Sequence, residues 1–379
     1  MPGCFVFGLD RNLADGASMP TADIERLTGG NTGNMAFHEA IFGSLAAEPP
    51  AVKWHEFASR PFDRSDIAIV PAANQIGAHA DFGRSAQNWG AMGCSFVVIG
   101  LGAQSEIGFA MPDVPEGSRA WLRMLAERSP MGAPNIAVRG EFTLSVMRHL
   151  GLGDRATVLG CPSLFISPEP WLGRVIAANT RPFRRVAVAA GHPGWSDLSH
   201  LEASLARIVS ETDGSYVGQS PLSMLQLCRG EARMMPEGEL AACHAYAGAH
   251  LGREAFVAWS ERHGRIFWNA QDWIAHYRSF DFVVGTRIHG VALALQAGVP
   301  ELCLVHDSRT LELCQTMAIP HVAVAGLAAG TTLEQLRALY LFDADAFDEN
   351  RRMLARRYVG FLVTNGLQPA EYLHRLAGG

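Results

Sequence analysis

The sequence predicts an α/β protein made of two Rossmann-like, doubly wound domains that face one another across a cleft, followed by C-terminal helices. Three observations predict it. Short apolar runs alternate with helical stretches along the chain, and a proline-rich segment interrupts the alternation midway. The 379 residues, 48% hydrophobic, also exceed what one core holds, since single cores stop growing near ~250–300 residues.

In the first half AVKWHEF, SDIAIVPAA, CSFVVIGLG, NIAVRG and ATVLG read as strands. Such unbroken apolar runs mark parallel strands covered on both faces. Residues 167–183 then carry three prolines, and RRVAVAAGH restarts the pattern like a new first strand. The boundary is expected there, with domains at 1–175 and 176–379. A helix over 201–209, then SYVGQ, RIFWN, DFVVG, PELCLV and HVAVA, give a second doubly wound sheet. The Met- and Ala-rich stretch within 211–265 either shapes a binding surface or is simply helical. From Thr332 onward the chain reads as helix, with Asp343 and Asp345 suited to cap the later one.

Composition narrows the function. A net charge of −6 and no Lys/Arg block argue against nucleic acid. Seven scattered cysteines without a CxxC pair read as reduced thiols in a cytoplasmic protein, not as a zinc site or a disulfide framework. No apolar run reaches the ~18–20 residues of a membrane span, and MPGCFVFGLDRN lacks the layout of a signal peptide. Attachment to the inner face of a membrane stays open. No motif demands a metal ion or a cofactor, so any activity is expected to survive treatment with EDTA.

In open α/β sheets ligands sit beyond the carboxyl ends of the strands, so the residues just after strands carry the functional reading. DFVVGTRIHG places Thr286, Arg287 and His289 between a strand and a helix start. A guanidinium and a helix N-terminus both favour a carboxylate or phosphate, and the imidazole adds a group that titrates near neutral pH. The plainer alternative is a surface ion pair for Arg287 and a helix-capping role for His289. NIAVRGEFT repeats the logic with Arg139 and Glu141, which otherwise form an ordinary helix-start pair. Two glycine-rich stretches read as strand ends, TGGNTGNMAFHEAI with Asn31 and Asn34 and FVVIGLGAQSEIG with Gly102 and Gln104. Either brings backbone N–H groups to an anion or merely turns the chain; neither completes a dinucleotide fingerprint. VHDSRTLEL offers Arg309 as a third anion contact, with Asp307 or Ser308 as a helix cap. It has no nucleophile elbow, and three adjacent residues on one loop do not make a serine triad.

Taken in order, TGGNTGNMAFHEAI, FVVIGLGAQ, NIAVRGEFTLSVMRHLGLGDRATVLGCPSLFI and DFVVGTRIHGVALALQAGVPELCLVHDSRTLELCQTMAIPHV resemble the polysaccharide pyruvyl transferase family. The resemblance implies a GT-B-like fold, phosphoenolpyruvate as donor and a sugar hydroxyl pair, free or lipid-linked, as acceptor, giving a pyruvate ketal and phosphate. Arg139, Arg287 and His289 are the positions that match the family's pattern, with His289 expected as general acid and either His289 or Glu141 as base; Asn31, Asn34, Gly102, Gln104, Thr286 and Arg309 are the expected donor contacts. A glycosyltransferase using a nucleotide sugar, or a family member that binds without turnover, are the alternatives.

Overall fold

The computed structural model describes residues 3–53, 56, 62–105 and 107–378. Two six-stranded parallel sheets form its frame. The first holds β1 (Cys4–Gly8), β2 (Ala51–Lys53), β3 (Ile67–Pro71), β4 (Ser95–Leu101), β5 (Ile136–Val138) and β6 (Ala156–Val158), in the order β2-β1-β3-β4-β5-β6. The second holds β7 (Val186–Ala189), β8 (Ser215–Val217), β9 (Gly264–Arg265), β10 (Phe282–Gly285), β11 (Glu301–Val305) and β12 (His321–Ala323), in the order β12-β11-β10-β7-β8-β9. Counted within its own half, the second order is the 3-2-1-4-5-6 of dinucleotide-binding folds, and the first follows the flavodoxin-like order with one strand added. The strand order reverses between β1 and β3 in one sheet and between β7 and β10 in the other. Ligand crevices belong at those two points.

The expected strands of the first half are present, and one was not anticipated. β1 lies inside the first sheet, paired to both β2 and β3, although CFVFG sits too near the start to show any alternation with helices. Of AVKWHEF only residues 51–53 are strand; Trp54, His55 and Phe57 lie outside the described residues, as does Glu106 of the glycine-rich stretch after β4. TGGNTG, expected at a strand end, instead follows the helix Thr21–Leu27 and leads into the helix Asn34–Gly43. The stretch within 211–265 is mainly helical, with Leu222–Cys228, Glu237–Ala247 and Arg253–His263.

The halves share a core. Val6 and Ile99 of the first sheet pack in one apolar cluster with Leu295 and Val305 of the second half and with Tyr358 and Leu362 of the helix Ala344–Thr364. Asp343 caps that helix, accepting from the Ala346 N–H at 3.0 Å. Asp345 instead pairs with Arg174 at 3.0 Å. The C-terminal helices thus return to the first domain, where the Ser44 and Tyr358 hydroxyls meet at 3.1 Å. In exchange, Leu13 and Ile24 of the first half pack into the core of the second, beside Val186 and Leu205. A large apolar interface of this kind opposes free domain motion. The point 175/176 falls inside the helix Leu172–Asn179. Among the described residues no helix is long and apolar enough to cross a membrane.

The helix Asn34–Gly43 is buried between the halves and carries His38, whose imidazole burial pushes down to about 3. An unfolded histidine titrates near 6.5. Because the folded value is lower, the unfolded chain binds the extra proton, and stability is lost as pH falls below about 6.5, by about 1.4 kcal/mol per unit for one such group. A series of melting temperatures from pH 7 to pH 5 should fall more steeply in the wild type than in His38→Leu. Equal slopes would remove His38 from the acid lability.

Candidate active site

The carboxyl ends of both sheets point at one small pocket, about 50 Å³, between the halves. Arg139 follows β5, Arg287 and His289 follow β10, and Arg309 lies in the first turn of the helix Ser308–Met317 after β11. All four line this pocket, together with Asn31, Asn34, Asn74, Gln219 and Thr286. The surface-ion-pair alternative for Arg287 does not hold among the described residues, because its guanidinium is buried and faces the pocket.

Each guanidinium is held through one nitrogen and has another without a partner among the described residues. Arg139, 2% exposed, donates from Nε to the Gly100 carbonyl at 2.8 Å, and its Nη2 has no partner among the described residues. Arg287 donates from Nη2 to the Ser220 hydroxyl at 2.6 Å, lies 4.6 Å from the centre of the Trp195 ring, and keeps a buried Nε without a partner. Arg309 pairs with Asp307 at 2.9 Å and also has an unpartnered Nε. The Gln219 amide nitrogen and the Thr286 hydroxyl are buried without partners as well. Buried polar groups are rarely left unpaired. Five such groups belong to residues that line one pocket, four of them N–H donors on three arginines and a glutamine, a composition that suits a negative charge.

The electrostatics agree. Burial, and then the nearby Arg309, bring Arg287 down to about 10. Burial also lowers Arg139, and Arg309 adds to the effect. His289 is pushed well below the usual histidine value by burial and then by Arg139, Arg309 and Arg287. The imidazole is therefore neutral at neutral pH while the pocket holds no anion. Its Nε2 lies 3.9 Å from the Cys161 sulfur, and Phe37 packs on the ring at 5.3 Å.

The remaining expected residues divide. Asn31 and Asn34 form pocket wall, but their amides serve the loop: Asn31 Oδ1 accepts from the Gly33 N–H at 2.8 Å, and Asn34 donates to the Thr28 carbonyl at 2.9 Å. Gln104 stands one residue back, its side-chain carbonyl taken by the Asn74 amide. Gly102 makes room, since a Cβ there would lie 2.7 Å from Cδ of Arg139. Gly102→Ala should displace that guanidinium and weaken binding of inorganic phosphate by about tenfold, as expected for overpacking of about 1–3 kcal/mol. Calorimetric titration checks this, and unchanged affinity would count against Arg139 as a ligand. Glu141 does not join the cluster. It is exposed and lines a different pocket, of about 600 Å³, with Phe109, Phe142 and Arg357. Gly140, in extended backbone at φ −174°, is the N-cap that separates Arg139 from Glu141, the first residue of the helix.

Asn74, Gln219 and Trp195 were not anticipated. The first two stand just beyond β3 and β8, where the strand-end rule points, but a neutral amide attracts no notice in a sequence. A larger pocket, about 740 Å³, lies at the amino end of β4 beside Arg64 and Arg128. There the Arg128 guanidinium is already engaged by the Gly90 and Met92 carbonyls. Among the described residues no group of three or more His, Cys, Asp or Glu side chains is placed to hold a metal ion.

Fold and pocket together define a two-domain protein of GT-B architecture with an arginine-lined pocket in its cleft. The family model for polysaccharide pyruvyl transferase matches residues 31–308, and the chain belongs to that family. No curated protein sequence matches it. Similar solved structures include a putative UDP-N-acetylglucosamine 2-epimerase from Listeria monocytogenes, 13% identical, covering 95% of this chain and 96% of that one with a TM-score of 0.44. The UDP-GlcNAc 2-epimerase of Methanocaldococcus jannaschii is 10% identical over 95% of this chain and 100% of its own, with a TM-score of 0.41. Anabaena Alr3699/HepE in complex with UDP is 11% identical over 94% and 100%, with a TM-score of 0.42. Likeness at this level says nothing about activity.

Proposed function

We propose that the protein transfers a pyruvyl group from phosphoenolpyruvate to two hydroxyls of a saccharide, forming a pyruvate ketal and releasing phosphate. The observation that carries this reading is the convergence of Arg139, Arg287 and Arg309, from both halves of the chain, on one small pocket. Phosphoenolpyruvate places a carboxylate and a phosphate on three carbons, and guanidinium groups match both.

The chemistry then needs one proton carrier. A proton goes to the methylene carbon of the enol, which becomes the methyl group, and C2 turns electrophilic. One sugar hydroxyl adds to C2, the C2–O bond to phosphate breaks, and the second hydroxyl closes the ketal. Two hydroxyl protons are released for the one consumed at carbon, so the balance leaves with phosphate. We assign this role to His289, which lines the same pocket as the three arginines. Burial, and then the arginines, hold it neutral, and the negative charge of a bound donor offsets the arginines and raises its affinity for a proton. The imidazole is thus loaded when donor is present, gives its proton to carbon, and recovers one from a hydroxyl. The distant Glu141 leaves the base role to His289. Seven free cysteines fit a reducing, cytoplasmic setting.

Phosphate release on mixing phosphoenolpyruvate with a panel of saccharides tests the reaction. A thermal-shift comparison with UDP- and GDP-sugars tests the donor, because a ligand stabilises by RT ln(1 + [L]/Kd). Stabilisation by a nucleotide sugar alone would overturn the donor assignment. Donor binding with no phosphate release on any acceptor would favour a member that binds without turnover.

A further inference from the structure

The three arginines repel one another, yet two of them sit on segments from different halves of the chain. Arg139 lies directly before Gly140, the N-cap of the helix Glu141–His149, and Arg309 begins the helix Ser308–Met317. A specific contact joins these two segments. Glu312, one turn after Arg309, reaches across the domain boundary. Its Oε1 accepts from the Thr143 N–H at 2.6 Å and its Oε2 from the Thr143 hydroxyl at 2.8 Å. Thr143 Oγ in turn accepts from the Ala103 N–H at 2.9 Å, next to the Gly102 that makes room for Arg139. One turn earlier on the same helix face, Ser308 Oγ accepts from the Ser105 N–H at 2.9 Å and donates to the Ser105 carbonyl at 2.8 Å.

The helix Glu141–His149 has no side-chain cap of its own, and its first N–H groups need acceptors. Glu312 supplies one from the other domain, as a carboxylate at a positive helix end. Gly140 permits the approach, because any Cβ there would collide with Glu312 Cγ. Glu312 is 3% exposed, and both its oxygens are committed to Thr143, so the carboxylate acts on the nearby Arg139 without bonding to it.

We propose that Glu312 is a positioning residue: by capping the helix of the opposite domain at Thr143, it holds Arg309 beside Arg139 and so keeps the donor clamp assembled before any ligand arrives. This rests on the reading of the pocket as an anion site and deepens it. Glu312 touches no reacting atom and acts through the two arginines.

Binding of inorganic phosphate and of phosphoenolpyruvate is measured by calorimetry in the wild type, Glu312→Gln, Thr143→Val and the double variant, with Thr143→Ser as the conservative replacement. Glutamine keeps the volume but accepts at one atom only, so it loses one bond and the charge. Both anions should bind about tenfold more weakly to Glu312→Gln, with the KM for acceptor unchanged. The double variant should be no worse than the weaker single one, because the pair acts as a unit. Thr143→Ser should bind within about twofold of wild type. Unchanged or tighter anion binding in Glu312→Gln, or additive losses in the double variant, would overturn the proposal. So would a wild type that binds neither anion. Should Glu312→Gln fail to fold, the Thr143 pair decides alone: valine must weaken phosphate binding and serine must not, and equal affinities reject the proposal. A wild type that binds inorganic phosphate with this pattern but turns over no phosphoenolpyruvate keeps the strap and removes the donor reading.

Discussion

Arg287→Ala and Arg139→Ala are each expected to bind phosphoenolpyruvate about 100-fold more weakly than the wild type, with acceptor affinity little changed. Each guanidinium is anchored by one nitrogen to protein oxygen, Ser220 for Arg287 and the Gly100 carbonyl for Arg139, each has another nitrogen without a partner among the described residues, and both residues line the pocket. Hydrogen bonds to charged groups contribute about 1.5–3 kcal/mol, and a loss of about 2.7 kcal/mol is 100-fold in affinity. Arg287→Lys should recover only part of the loss, because a compact ammonium lacks the several fixed donors with which the guanidinium meets Ser220 while sitting over the Trp195 ring. Calorimetric titration with donor and acceptor separates the two affinities. Donor binding unchanged in both alanine variants would dissolve the clamp.

The second large effect belongs to His289→Gln. It should lower kcat by about 10²–10⁴-fold while donor still binds, the usual contribution of a general acid–base group. The site sets the sign of the proton linkage. The value for His289 in the empty pocket lies well below 6.5, lowered by burial and then by the three arginines, so the free protein carries a neutral imidazole at neutral pH. A bound anion opposes the arginines and raises that value, and donor binding therefore takes up a proton. Calorimetry in buffers of different ionisation enthalpy reads this uptake, and the difference between wild type and His289→Gln isolates the imidazole from the donor's own phosphate. Near-normal turnover in the variant, or identical uptake in both proteins, would take the proton away from His289.

The sequence made the architecture and the position of the pocket legible for the same reason: buried parallel strands are written as apolar runs, and the residues after such a run stand at the carboxyl edge of a sheet. DFVVG and NIAVRG led to Arg287, His289 and Arg139 by that rule, and all three line one pocket. The rule says nothing of which way the next side chain turns. Glu141, two residues beyond Arg139, starts a helix and faces outward. β1 escaped notice because five apolar residues at the start of a chain show no rhythm. TGGNTG looked like the end of a strand because a seven-residue helix, TADIERL, has little periodicity to read. Asn74, Gln219 and Glu312 depend on pairings between residues far apart in the chain, Glu312 and Thr143 being 169 positions apart, and such contacts leave no local signature.

The most direct measurement is a crystal structure with phosphoenolpyruvate bound. The expected map shows one donor molecule in the cleft, its carboxylate and phosphate shared among Arg139, Arg287 and Arg309, with His289 Nε2 within hydrogen-bonding reach of the methylene end or the bridging oxygen. A donor bound elsewhere, or one that meets arginines from only one half of the chain, would contradict it.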